Sequence, residues 1–211
     1  MSQAGSPQPE YSHATSAFLT RHGIWHCVTY GTLLGAVRDE TIIPWDHDFD
    51  MFVRPADITT LAGLVDDAGR AGLAFDPIHK AATELAIGAG EVEMFNPSRI
   101  VVSYRGQPVG DLFAPSLFCD GVLWVYDFAT EVIWTPQSSF PHFFIETSSI
   151  VTIDGTTYPG VGHPEQFLDG VYGSDWRTPY RSVVDGGTAR DGSTSHGDRF
   201  DPKLAAEVAV C

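Results

Sequence analysis

The run Pro44-Trp45-Asp46-His47-Asp48-Phe49-Asp50-Met51-Phe52-Val53 constrains this chain more than any other part of it. Phe49, Met51 and Val53 fall on one parity and Asp46, Asp48 and Asp50 on the other. A strand opened by Pro44 therefore buries apolar side chains on one face and collects three carboxylates on the opposite one. Two Asp residues at i and i+2 of a strand stand about 6.5 to 7 Å apart at the backbone and can converge on one small cation. Magnesium suits such a pair, because it takes oxygen ligands and is usually bound by one or two carboxylates together with substrate phosphates. A solvated acidic face is the plainer reading of any D-x-D pair. A calcium loop starting at Asp46 is the sharper rival, but its sixth position is Met51, where that loop needs Gly.

The flanking sequence supplies a scaffold of alternating helices and strands. Ser12 caps an expected helix running to His22 and closed by Gly23. Ile24 to Tyr30 reads as a buried strand that feeds a Gly-bounded helical turn, Gly31 to Arg38. Ile58, Leu61, Leu64 and Val65 give helical spacing within Ala56 to Ala71, with Gly72 as the stop. Beyond Leu73 the pattern turns to short β-like runs, Ile100 to Tyr104, Val109 to Phe113, Val122 to Phe128 and Glu131 to Trp134, which suggest an antiparallel extension of the sheet. Asp154-Gly155 marks a hairpin within Ile150 to Tyr158, and Pro164 opens a helix, Glu165 to Tyr172, closed by Gly173. No linker divides the middle of the chain, so one domain is expected over 12–182, with a flexible leader at 1–11 and a mostly flexible Gly-rich, acidic tail at 183–211.

Charge limits the partners. With 27 Asp and Glu against 12 Lys and Arg, the formal charge of −15 repels nucleic acid and acidic membrane surfaces. A small anionic ligand is still allowed, since a bound cation or a few Arg residues reverse the local potential inside a cleft. Cys27, Cys119 and Cys211 share no metal-ligand spacing and read as reduced thiols. With no signal peptide and no run of 18 apolar residues, a cytoplasmic protein without membrane insertion is expected. No Gly-x-Ser-x-Gly elbow or Cys/His pairing supports nucleophilic hydrolysis.

Three further features bear on the Asp48 and Asp50 pair. Asp111, in Gly110-Asp111-Leu112-Phe113, interrupts an otherwise apolar strand and needs a compensating partner, which makes it the candidate third carboxylate. The Gly31 to Gly35 turn follows a strand and starts a helix, so its backbone can approach a phosphate, with Thr32 adding a hydroxyl. The same junction has purely structural uses. Arg38 either reaches a phosphate or carboxylate in a bidentate manner or pairs with a neighbouring surface acid.

Tyr30-Gly31-Thr32-Leu33-Leu34-Gly35-Ala36-Val37-Arg38, followed by Ile43-Pro44-Trp45-Asp46-His47-Asp48-Phe49-Asp50, closely resembles the LicD family, which includes the fukutin-type proteins. The likeness continues at Gly110-Asp111-Leu112-Phe113-Ala114-Pro115 and from Tyr158-Pro159 through Pro164-Glu165-Gln166-Phe167-Leu168 to Pro179. It implies an α+β fold of the nucleotidyltransferase (polymerase-β-like) type, a mixed β-sheet flanked by helices with an antiparallel extension. It also implies transfer of a phospho-alcohol, such as phosphocholine or ribitol phosphate, from a CDP-activated donor to a sugar or glycan hydroxyl, with release of CMP and dependence on Mg²⁺ or Mn²⁺. By matching position, Asp48, Asp50 and Asp111 become catalytic metal ligands, Gly31, Thr32, Gly35 and Arg38 the donor site, and Asp46 either an acid just behind the ligands or one near the acceptor. Arg38-Asp39-Glu40-Thr41 departs from the family's usual basic block before the Ile-Pro-Trp motif, which bears on donor or acceptor choice.

The remaining polar and aromatic residues read as structural: His47 lies on the parity opposite Asp48, His163 sits where a helix begins, and Trp45, Tyr172 and Trp176 look like local core. His142 and His196 form no constellation. Two other functions remain open, nucleotidyl transfer from an NTP, which leaves pyrophosphate, and an inactive nucleotide-binding module.

Overall fold

Strand β2, Phe49–Val53, runs through the seven-stranded mixed sheet of a computed structural model. The structure describes residues 8–44, 46, 48–76, 99–117, 122–124, 126–127, 132–133, 139–141, 143–179, 181–184 and 188–191. In chain order the first half comprises helix α1 (Gln8–Arg21), β1 (His26–Val28), α2 (Tyr30–Asp39), β2, a 3-10 turn (Pro55–Asp57), α3 (Ile58–Ala62), α4 (Val65–Arg70) and β3 (Leu73–Asp76). Then come β4 (Arg99–Tyr104), β5 (Gln107–Phe113), β6 (Ser116–Leu117), β7 (Val122–Trp124), β8 (Tyr126–Asp127), β9 (Val132–Ile133), β10 (Ser139–Pro141), α5 (Phe143–Glu146), β11 (Ser148–Ile153), β12 (Thr156–Val161), α6 (Pro164–Tyr172), β13 (Arg181–Val184) and β14 (Thr188–Asp191).

The main sheet has the order β11-β12-β1-β2-β5-β4-β3. Strands β1 and β12 are parallel, as are β2 and β5, and the remaining neighbours are antiparallel. The α+β class expected from the sequence is thus realised, and β3, β4 and β5 form an antiparallel extension. The runs expected at Val122 to Phe128 and Glu131 to Trp134 do not extend the main sheet: β7 pairs with β6 and β10, and β8 with β9, in separate small sheets. Asp154-Gly155 makes the two-residue turn between β11 and β12 with φ of 48° and 78°, the positive pair that a type I′ hairpin requires.

Apolar alternation in β2 places α1 on one face of the sheet, where Tyr11 packs against Phe49 with ring centroids 5.9 Å apart. The opposite face carries Asp50 and then Phe52, which is fully buried against Tyr30, Phe140 and Phe167. Carboxylates therefore occupy one end of this face, and an aromatic cluster seals the rest from water. Trp176 belongs to the core as expected, 3% exposed and donating from Nε1 to Asp169, and Tyr172 packs against that core.

Several boundaries differ from expectation for physical reasons. Helix α1 begins at Gln8, so Ser12 is a buried interior residue whose hydroxyl hydrogen-bonds the Tyr158 hydroxyl at 3.2 Å, not a cap, and buried Tyr11 belongs to the core instead of the leader. Tyr30, read as the end of a strand, starts α2 with φ of 43°. Pro44 does not open β2, because the Asp46 N–H turns back onto the Ile43 carbonyl at 2.9 Å and the strand begins only at Phe49. The helix expected over Ala56 to Ala71 is broken into a 3-10 turn, α3 and α4 around Gly63, consistent with the poor helix propensity of glycine. Strand β14 lies inside the stretch read as a tail and, among the described residues, pairs with β13 in a two-stranded sheet separate from the main one.

Among the described residues no helix is long and apolar enough to cross a membrane. Cys27 is buried and reduced, and burial pushes its thiol well up from the usual range. Residues 1–7, Trp45, His47, Cys119, His142, His196 and Cys211 lie outside the described residues.

Candidate metal centre

Three carboxylates expected to meet do meet. Carboxylate oxygens of Asp48, Asp50 and Asp111 all lie within 4.8 Å of one another. The fold brings them together by register, because Asp50 on β2 and Asp111 on β5 are Cα partners across a parallel ladder. Asp48 enters from the turn just before β2, and among the three it is the exposed one, with Asp50 half-buried and Asp111 7% exposed.

Helix α2 and the end of β1 hold Asp50 in place. Its backbone N–H donates to Thr32 Oγ1 at 2.8 Å, its carbonyl accepts from Thr29 N–H at 3.0 Å, and its carboxylate accepts from the Gly31 backbone N–H. Gly31 permits a close approach of these acids, since a Cβ there would stand 2.6 Å from Asp46 Oδ2 and 4.0 Å from Asp50 Oδ2. Asp46 is thereby brought to the start of α2 beside the metal-ligating candidates, and a cavity at this point is lined by Gly31, Thr32, Ile42, Asp46, Asp48 and Ile153.

Crowding of like charges leaves a clear electrostatic mark. Burial raises the Asp50 carboxyl well above the ordinary carboxylate range, and the negative charges of Asp48, Asp46 and Asp111 raise it further, against the opposing Gly31 hydrogen bond. Burial also raises Asp111, while Arg99 acts in the other direction. Arg99 Nη2 donates to Asp111 Oδ2 at 2.9 Å and is the compensating cation that Asp111 required. Arg99 was not singled out from sequence; the available signal was the demand for a partner near an acid in an apolar strand.

Two residues expected at the donor site have other contacts. A Cβ on Gly35 would stand 2.6 Å from the Thr41 carbonyl, so this glycine packs α2 against the 41–43 turn. Arg38 holds its neighbour Asp39 through Nε at 2.8 Å and Nη2 at 2.7 Å, with its side chain 6% exposed. The unusual Asp39-Glu40-Thr41 segment is tied to the β11–β12 hairpin, where Thr41 Oγ1 donates to Asp154 Oδ1 and the Asp154 N–H donates to the Glu40 carbonyl. His163 precedes α6 at φ of 51°, and its carbonyl accepts the Phe167 N–H.

Residues 23–84 match the family described as LicD/FKTN/FKRP, nucleotidyltransferase domain. The resemblance of this stretch to the LicD family is therefore shown. It covers Gly31, Thr32, Asp48 and Asp50 but stops short of Asp111, which pairs with Asp50 across the β2–β5 ladder. Among solved structures, the lincomycin-bound crystal structure of the lincosamide antibiotic adenylyltransferase LnuA is similar at 10% identity and a TM-score of 0.44, covering 75% of this chain and 83% of that one. No curated protein matches the chain. The LicD match, with the mixed sheet around it, supports a nucleotidyltransferase fold and a nucleotide- or phospho-transfer role.

Proposed function

We propose that this chain is a divalent-cation-dependent transferase that moves a phospho-alcohol from a CDP-activated donor to a hydroxyl of a sugar or glycan and releases CMP. The observation that carries this reading is the convergence of Asp48, Asp50 and Asp111 within 4.8 Å, two of them inside the LicD-matched stretch. The donor set is all oxygen, which fits Mg²⁺ or Mn²⁺; Asp50 is raised by burial and then by the like charges around it, and a bound cation relieves that like-charge crowding. Asp48, Asp50 and Asp111 would hold the ion. When bound, it supplies neutralisation of the charge on a transferring phosphate.

The chain's own residues prepare that site. Gly31 allows Asp46 and Asp50 to stand against the first turn of α2, and Thr32 fixes the backbone of Asp50. Arg99 orients Asp111. Asp48, the exposed acid, is the member of the set that an incoming hydroxyl can approach from solvent.

Mass spectrometry of products tests the reaction. Incubation with CDP-alcohols, sugar or glycan acceptors and Mg²⁺ is expected to yield CMP and a phospho-alcohol adduct of the acceptor hydroxyl. Pyrophosphate from an NTP, with no turnover of any CDP-alcohol, would replace this reading with nucleotidyl transfer.

A further inference from the structure

Arg99 reaches Asp111 diagonally across the β4–β5 ladder. The Cα partner of Asp111 is Val101, and Arg99 lies two residues from Val101 on the same face of β4. Its Nη2 donates to Oδ2 of Asp111 at 2.9 Å, with Asp111 7% exposed and the Arg99 side chain 36% exposed. Asp111 thus meets Asp48 and Asp50 while one of its two oxygens, Oδ2, accepts a hydrogen bond from a guanidinium.

Coordination chemistry gives that geometry a consequence. Calcium takes six to eight oxygens, often through both oxygens of one carboxylate, whereas magnesium takes six at near-ideal octahedral positions and keeps several waters. Groups that hydrogen-bond a ligating carboxylate decide which of its oxygens is presented. We propose that Arg99 is a positioning residue that restricts Asp111 to single-oxygen coordination and so tunes the three-carboxylate site for a small octahedral cation against Ca²⁺. This rests on the metal reading above and adds a determinant of which ion is accepted. A cation that merely offset the acidic cluster would weaken all divalent ions alike, so selectivity separates positioning from bulk charge.

The test is isothermal titration of the full chain with MgCl₂, MnCl₂ and CaCl₂, applied to wild type, Arg99→Met, Arg99→Lys and Asp50→Asn. Arg99→Met is expected to raise the affinity for Ca²⁺ relative to Mg²⁺ by about tenfold. Arg99→Lys, which keeps a charged donor, is expected to retain most of the wild-type preference. If Arg99→Met fails to fold, Arg99→Gln takes its place, with a shift in the same direction. An unchanged Ca²⁺ to Mg²⁺ ratio in the folded neutral variant, with binding lost in Asp50→Asn, would overturn the role of Arg99 and leave the metal site standing. Absence of binding by wild type would overturn both.

Discussion

Asp50 and Asp111 stand side by side in the sheet as Cα partners on the parallel strands β2 and β5. Parallel pairing makes the link between two acids that are far apart in sequence, and antiparallel β4 then brings Arg99 alongside. The acidic site is therefore a product of sheet topology as much as of the Asp48-Phe49-Asp50 motif.

The raised Asp50 carboxyl makes the cation-free protein sensitive to pH. Because its folded value lies above the ordinary 3.8, the folded state binds more protons than the unfolded state between the two values. Its stabilising contribution is present below 3.8 and is lost as pH rises through the raised folded value. Thermal unfolding in chelator should show a melting temperature that falls across this window. Asp50→Asn should flatten that slope, as should saturating Mg²⁺.

Thr32→Val removes the acceptor for the Asp50 N–H while keeping the shape of the side chain. Leaving that donor without its partner should cost about 1 to 3 kcal/mol in urea unfolding. Thr32→Ser should restore most of the loss, which separates the hydrogen bond from packing.

Gly31→Ala and Gly110→Ala should behave differently. At Gly31 the new methyl meets the tip of Asp46, which can swing aside, so the variant should fold normally and lose activity through the displaced carboxylate. At Gly110 it meets the backbone carbonyl and ring of Phe49 inside the ladder, which should cost about 1 to 3 kcal/mol of stability. Urea unfolding beside an activity assay distinguishes the two.

Much of this arrangement was legible in the sequence, and the failures have local causes. Asp48 and Asp50 stood out through their context, since a D-x-D pair alone reads more plainly as a solvated face, whereas here it sits in an apolar run inside a block that resembles the LicD family. Asp111 stood out because an apolar strand tolerates a carboxylate poorly. Parity alone extended β2 back to Pro44, since alternation cannot register the hydrogen bond from Asp46 to Ile43 that turns the backbone. Ser12 has the chemistry of a cap, yet helix α1 runs past it. Gly35 shares a motif with Gly31, but only three-dimensional packing shows that Thr41 and Ile43 fill the space over it. Arg99 was invisible because its significance depends on the register between β4 and β5.

Mn²⁺ titration of wild type beside Asp48→Asn, Asp50→Asn and Asp111→Asn, with CMP release measured on the same samples, tests most directly whether these carboxylates hold the catalytic cation. Wild type should bind one Mn²⁺. Each variant should bind it at least about tenfold more weakly and lose CMP release in parallel. Wild-type Mn²⁺ affinity and full metal-dependent turnover in Asp48→Asn and Asp50→Asn would contradict the assignment.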